Sequence, residues 1–132
     1  MTIERVPGRS FWEETIGSAR AVAAGDLVVA GTMPFTDGMV LGEGDPYEQA
    51  RAAFTLALEA LAEFGTGVES VFRTRMYLAH ARDVDEVGRA HQEIFGAVRP
   101  VATLVVVSGF ADSRILVEVE VEAQREVSGE RS

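Results

Sequence analysis

The chain has no cysteine. Disulfides, thiolate nucleophiles and cysteine-based metal centres are thereby excluded. Positive charge is also scarce, with 12 Lys and Arg against 21 Asp and Glu and a net charge of −9. Nucleic acids and anionic membranes need clustered cations to neutralise their phosphates, so neither is an expected partner. No uncharged apolar stretch approaches the ~20 residues that span a bilayer, and the N-terminal MTIERVPGRS lacks an apolar run of signal-peptide length. A cytoplasmic protein that takes a small-molecule ligand is the expectation. The two histidines, His80 and His91, stand apart with no acidic ligand pattern beside them, so neither a metal nor another cofactor is expected. Gly42, Gly44, Gly65 and Gly67 form no phosphate loop, because the required Lys and Ser/Thr between strand and helix are missing.

What is present is enough for one core: 132 residues, 47% of them hydrophobic. The reading is a single domain over 1–132, with its core at 11–124, an irregular arm at 1–10 and a frayed tail at 125–132. Ala19–Val22 and Leu27–Thr32 flank the turn residues Ala24, Gly25 and Asp26 and read as a hairpin, and Met39–Leu41 as a third short strand. Asp45 followed by Pro46 starts a helix whose apolar stripe is Tyr47, Ala50, Phe54, Leu58 and Leu61, with Gly65 as its stop. Val71–Leu78 is a fourth strand, with Phe72, Thr74, Met76 and Leu78 expected in the core and Arg73 and Arg75 on the other face. Asp83 and Glu86 have capping-box spacing for a second helix ending near Phe95. Leu104–Val107 and Val117–Ala123 are expected to form an antiparallel pair across a loop holding Ser108, Gly109, Asp112 and Ser113.

The order β-β-β-α-β-α-β-β gives an α+β fold in which two helices cover one face of a mixed sheet. Yet Leu27–Ala30 and Leu104–Val107 are apolar on both faces. Leaving Val or Leu in water forgoes roughly 1.5 to 3 kcal/mol each, so the second face should be covered by copies of the same chain, as a closed ring would do. Glu118, Glu120 and Glu122 share that face, about 7 Å apart along the last strand. Ion pairs between them and Arg73 or Arg75 are expected, since an unpaired buried charge costs several kcal/mol. The row is either a solvated face or contains one carboxylate that lines a pocket as a general acid or base.

Several strings together resemble the Rid family, also called YjgF or UK114: GDLVVAGTMPF at 25–35, YEQARAAFTLALEAL at 47–61, VFRTRMYL at 71–78, AHQEIFGAVRP at 90–100 and RILVEVEVEA at 114–123. The resemblance implies a chorismate-mutase-like fold, a homotrimer whose sheets line a central barrel, and pockets at the subunit interfaces. It implies hydrolysis of a reactive imine or enamine acid, with an arginine clamping the carboxylate, a glutamate orienting water and no cofactor. Residue by residue, the glutamate falls on Glu118 and the pocket backbone groups on Gly31 and Leu104. The arginine falls on Ala102, which is the main departure. A pocket tyrosine is replaced by Ser18 and a helix asparagine by Gly88. Thr32, next to Gly31, joins the candidate substrate-binding set, as does Arg75, the candidate substitute for the absent arginine. The sequence therefore supports a deaminase or hydrolase of a small imine, enamine or amide, or a non-catalytic trimeric binding or regulatory protein using the same cleft. A chorismate mutase ranks last, because it needs several arginines around a dianionic substrate.

Overall fold

The computed structural model describes residues 2–126. A six-stranded mixed sheet runs in the order β1-β2-β3-β8-β6-β7, with strands β1 (Ile3–Pro7), β2 (Ala19–Ala24), β3 (Leu27–Thr32), β6 (Val71–Leu78), β7 (Val101–Val106) and β8 (Val117–Gln124). A short hairpin, β4 (Phe35–Thr36) and β5 (Met39–Val40), stands apart from it. Helices α2 (Pro46–Ala62) and α3 (Val84–Phe95) pack on one face, and a two-turn helix, α1 (Phe11–Ile16), joins β1 to β2. The α+β class with a mixed sheet and two main helices is as read from the sequence.

The core lies between α2, α3 and the inward residues of β2, β3, β6 and β8. Val117, Val119, Val121 and Ala123 are fully buried, as their alternation with glutamate requires, and meet Phe54, Leu61 and Phe95. Asp45 caps α2 by accepting from the backbone N–H of Glu48 at 3.1 Å, with Pro46 at the first helical position. Gln49 is completely buried on α2. It donates to the Arg114 carbonyl at 2.9 Å and accepts from the Leu116 N–H at 2.7 Å, fixing the chain as it enters β8.

Four expectations need correction. Residues 3–7 are no irregular arm, because Ile3 to Pro7 pair antiparallel with Ala24 to Ala19, with the proline where an edge strand tolerates it. The last two strands are not neighbours: β6, α3 and β7 form a parallel crossover unit, so β6 lies between β7 and β8. In β6 the register shifts between Val71 and Arg73, which turns Phe72 outward at 44% exposure and puts Val71 in the core with Thr74, Met76 and Leu78. Asp83 precedes α3 without a side-chain capping bond, so the capping box does not form. Of the tail, Arg125 is tied down: its N–H donates to the Asp26 carbonyl at 2.8 Å and its guanidinium pairs with Glu4. Residues 127–132 of the expected tail lie outside the described residues.

The helix-free face of the sheet is uncovered in the single chain. On it Leu27, Val29, Val101 and Val105 are 38 to 65% exposed, and no residue of β7 is buried on either face, Leu104 and Val106 on the helix side being 40 and 52% exposed. The runs read as buried on both faces are thus half-covered in β3 and uncovered in β7. Among the described residues no helix is long and apolar enough to cross a membrane.

Candidate functional site

The outward face of β8 carries the three glutamates, and their surroundings differ. Glu122 pairs with Arg73 at 3.4 Å and Arg75 at 3.5 Å; Glu120 pairs with Arg75 at 3.5 Å and accepts from the Tyr77 hydroxyl at 3.0 Å. These are the ion pairs expected from the sequence. Glu118, nearer the strand's start, makes no hydrogen bond or ion pair among the described residues. Its neighbour on one side is Tyr77; on the other, β3 has ended, since Thr32 pairs with Val119. Burial pushes the Glu118 carboxyl above the usual carboxylate range, and the charge of Glu120 adds to the shift.

Where β3 stops, a cavity of about 230 Å³ opens, and Glu118 is in its wall. Gly31 and Thr32 line it from β3 and Met33 and Phe35 from the chain leading into β4, Ala19 and Arg20 from β2 with Ser18 just before it, and Trp12, Glu13 and Ile16 from α1 with its cap Ser10. The Thr32 hydroxyl is already committed, donating to the Ala53 carbonyl at 2.6 Å, so Thr32 is part of the wall and not a nucleophile. Helix α1 is built by its ends. Ser10 accepts from the Glu13 N–H at 3.0 Å, and Gly17, left-handed at φ 77°, closes the helix by donating to the carbonyls of Glu13 and Glu14. No residue of α1 is buried, and Phe11 is 88% exposed.

Inside the cavity is a group that the sequence reading missed. Arg20 is only 5% exposed, and its one ion pair among the described residues, to Glu13, is long at 3.4 Å. The same Glu13 oxygen also accepts from the Arg9 N–H at 2.9 Å and the Ser10 hydroxyl at 3.0 Å. The Arg20 Nε–H is buried without a partner. The signal was available: in an extended strand residues two apart share a face, so Ser18 in the pocket puts Arg20 there too.

One cavity therefore brings together Ser18, Gly31, Thr32 and Glu118. It does not include the other sequence candidates within a single chain. Ala102 and Leu104 are on the edge strand β7, three strand spacings or about 14 Å from β3. Arg75 is held by Glu120 and Glu122, and Gly88 is on α3, on the opposite side of the sheet. Among the described residues no group of three His, Cys, Asp or Glu is placed to hold a metal ion.

A mixed sheet backed by two helices, with a side cavity ending in an unpaired carboxylate, defines a small-molecule-processing or small-molecule-binding protein. The chain belongs to the Endoribonuclease L-PSP family, whose model matches residues 17–125, the group also known as YjgF/YER057c/UK114 or Rid. It is 64% identical over 124 residues to the uncharacterized protein SCO2049 of Streptomyces coelicolor, covering 93% of this chain and 92% of the relative. Its structure is similar to that of Rv2704 from Mycobacterium tuberculosis, a member of the YjgF/YER057c/UK114 family, at 34% identity and a TM-score of 0.83, covering 94% of this chain and 100% of the other. E. coli TdcF, solved with bound serine, shares the fold at 19% identity and a TM-score of 0.78, covering 96% and 99%.

Proposed function

We propose that the chain is a homotrimeric deaminase or hydrolase of a small reactive imine, enamine or amide, with Glu118 as its acid/base. The observation that carries this is the contrast along β8: two glutamates are neutralised by arginines, and the third is left unpaired, half-buried and in a cavity wall. A carboxyl raised above its usual range takes up a proton more readily than a solvated carboxylate, as an acid/base group must. For an imine, Glu118 takes a proton from water as the water oxygen adds to the C=N carbon, and returns it to the nitrogen to give the carbinolamine. It then carries the carbinolamine hydroxyl proton to the same nitrogen as the C–N bond breaks, so that ammonia leaves and a carbonyl remains.

Three copies arranged around the helix-free face would cover Leu27, Val29, Val101 and Val105. A neighbour's β7 would then close the cavity and bring Ala102 and Leu104 to it, reuniting the candidates that one chain keeps apart. Light scattering should return three times the chain mass of 14.2 kDa. TdcF holds serine, and an amino-acid-sized ligand is also the scale of a cavity of about 230 Å³. RNA is not the proposed substrate, since a net charge of −9 repels a polyanion.

The test is ammonia release from freshly generated imino acids. Wild type should release it and Glu118→Gln should not. Ala102, standing where the resemblance places an arginine, favours a second reading, a trimeric binding protein without chemistry. Ligands that raise the melting temperature in a saturable way, with no turnover of any imine, would select it.

A further inference from the structure

Resting on the reading of this cavity as the substrate site, we propose that Arg20 binds the carboxylate of the substrate, and that the apolar recess beside it receives a large apolar side chain. The ligand is thus a small monocarboxylic acid with an aliphatic or aromatic tail. A buried guanidinium needs its N–H groups satisfied, and among the described residues Arg20 has one long bond to an oxygen that already serves two other donors, plus an Nε–H with no partner. The planar fork of arginine matches a carboxylate with two parallel hydrogen bonds. A dianion such as a phosphate monoester is disfavoured, because Glu13 and Glu118 line the same cavity.

The tail has its own place. A second cavity of about 170 Å³ shares Ser10, Trp12, Met33 and Phe35 with the first and continues to Ala111, Asp112 and Ile115. Its one charged residue is spoken for: Asp112 accepts from the Arg114 guanidinium at 3.0 and 2.7 Å, which holds its carboxyl down at about 2. What remains is a wall of Trp12, Met33, Phe35 and Ile115. An acid gripped at Arg20 would direct its side chain across the shared residues into this recess and present its reacting carbon to the cavity that contains Glu118.

Calorimetric titration with 4-methyl-2-oxopentanoate, a stable acid of this class, tests the proposal against pyruvate, which lacks the tail, and 4-methyl-2-pentanone, which lacks the carboxylate. The branched acid should bind more tightly than either. Arg20→Met should weaken it by about 10- to 100-fold, the usual worth of a charged hydrogen-bonded contact. Glu13→Gln keeps an oxygen for the Arg9 and Ser10 donors but removes the competing charge, and should tighten binding; it carries the test if Arg20→Met does not fold. Equal binding of acid and ketone, unchanged binding in Arg20→Met or Glu13→Gln, or no acid binding by wild type overturns the proposal. Ammonia assays on the same proteins separate it from the hydrolytic reading. Release that Arg20→Met leaves untouched overturns the role of Arg20 and keeps that of Glu118. Acid binding that depends on Arg20, without release from any imine, supports Arg20 and overturns hydrolysis.

Discussion

The two ends of the outward face of β8 carry the same residue type and have opposite characters. Toward Glu122 the strand is flanked by β6, whose Arg73, Arg75 and Tyr77 occupy the two carboxylates. Toward Glu118 the flanking β3 has run out, and the space it vacates is the cavity. Chemistry is assigned here by neighbours and not by residue identity. A carboxylate between cations is a structural tie; one without cations and partly out of water has its proton affinity raised, which is the basis of the acid/base role proposed for Glu118.

The largest effect should come from exchanging members of this row. Glu118→Gln should lower ammonia release by about 10²- to 10⁴-fold, the usual contribution of a positioned acid/base, whereas Glu120→Gln and Glu122→Gln should leave most of it. Equal losses at all three positions, measured as kcat, would erase the contrast. Next is the anchor of the Glu118 end. Gln49→Ala empties a fully buried side-chain site and strips two hydrogen bonds from the backbone at the entrance to β8, and should cost about 2 to 4 kcal/mol in urea unfolding.

A smaller effect concerns pH. The folded-state pKa of Glu118 lies above its unfolded value, so the native chain holds a proton that the unfolded chain releases more readily, and stability falls as pH rises through that window. Glu118→Gln removes this penalty. The variant should melt above wild type at neutral pH, and its advantage should vanish once the pH drops below the ordinary carboxylate range, as thermal melts between about pH 4 and 8 would show. The smallest effect is at Arg75. The Arg75 side chain is more than a third exposed, so Arg75→Met should change the stability of the isolated chain by less than about 1 kcal/mol. By leaving the Glu120 charge less compensated, it should still move the activity profile of Glu118 to higher pH.

Much of this was legible in the chain. The Val and Glu alternation of 117–123 dictates a half-buried strand, Asp45-Pro46 a helix start, and the arginines of 71–78 their pairing with the glutamates. Pairing order was not legible, because turn residues at 108–113 suit a tight hairpin and a longer crossing loop equally, and the preference of β6-α3-β7 for a parallel crossover is a property of three elements together. The outward turn of Phe72 was hidden for a similar reason: the bulge adds one residue to an otherwise regular alternation. Of the residues singled out from the sequence, Glu118, Ser18, Gly31 and Thr32 line one cavity. Arg20 was not legible as a pocket cation from the resemblance, which places its arginine at Ala102 on β7, and the substitute read from the sequence, Arg75, is on β6, while the guanidinium arrives from β2.

Helix α1 buries none of its side chains, yet it supplies four residues, counting its Ser10 cap, to the cavity wall. The floor, on β3 and β8, is fastened to the core; this rim is held by its two caps and the grip of Glu13 on Arg20. Backbone amides from 11 to 16 should exchange with deuterium orders of magnitude faster than those of β8. Selectivity could accordingly be rewritten by grafting a different rim between Arg9 and Ser18, with little loss of melting temperature.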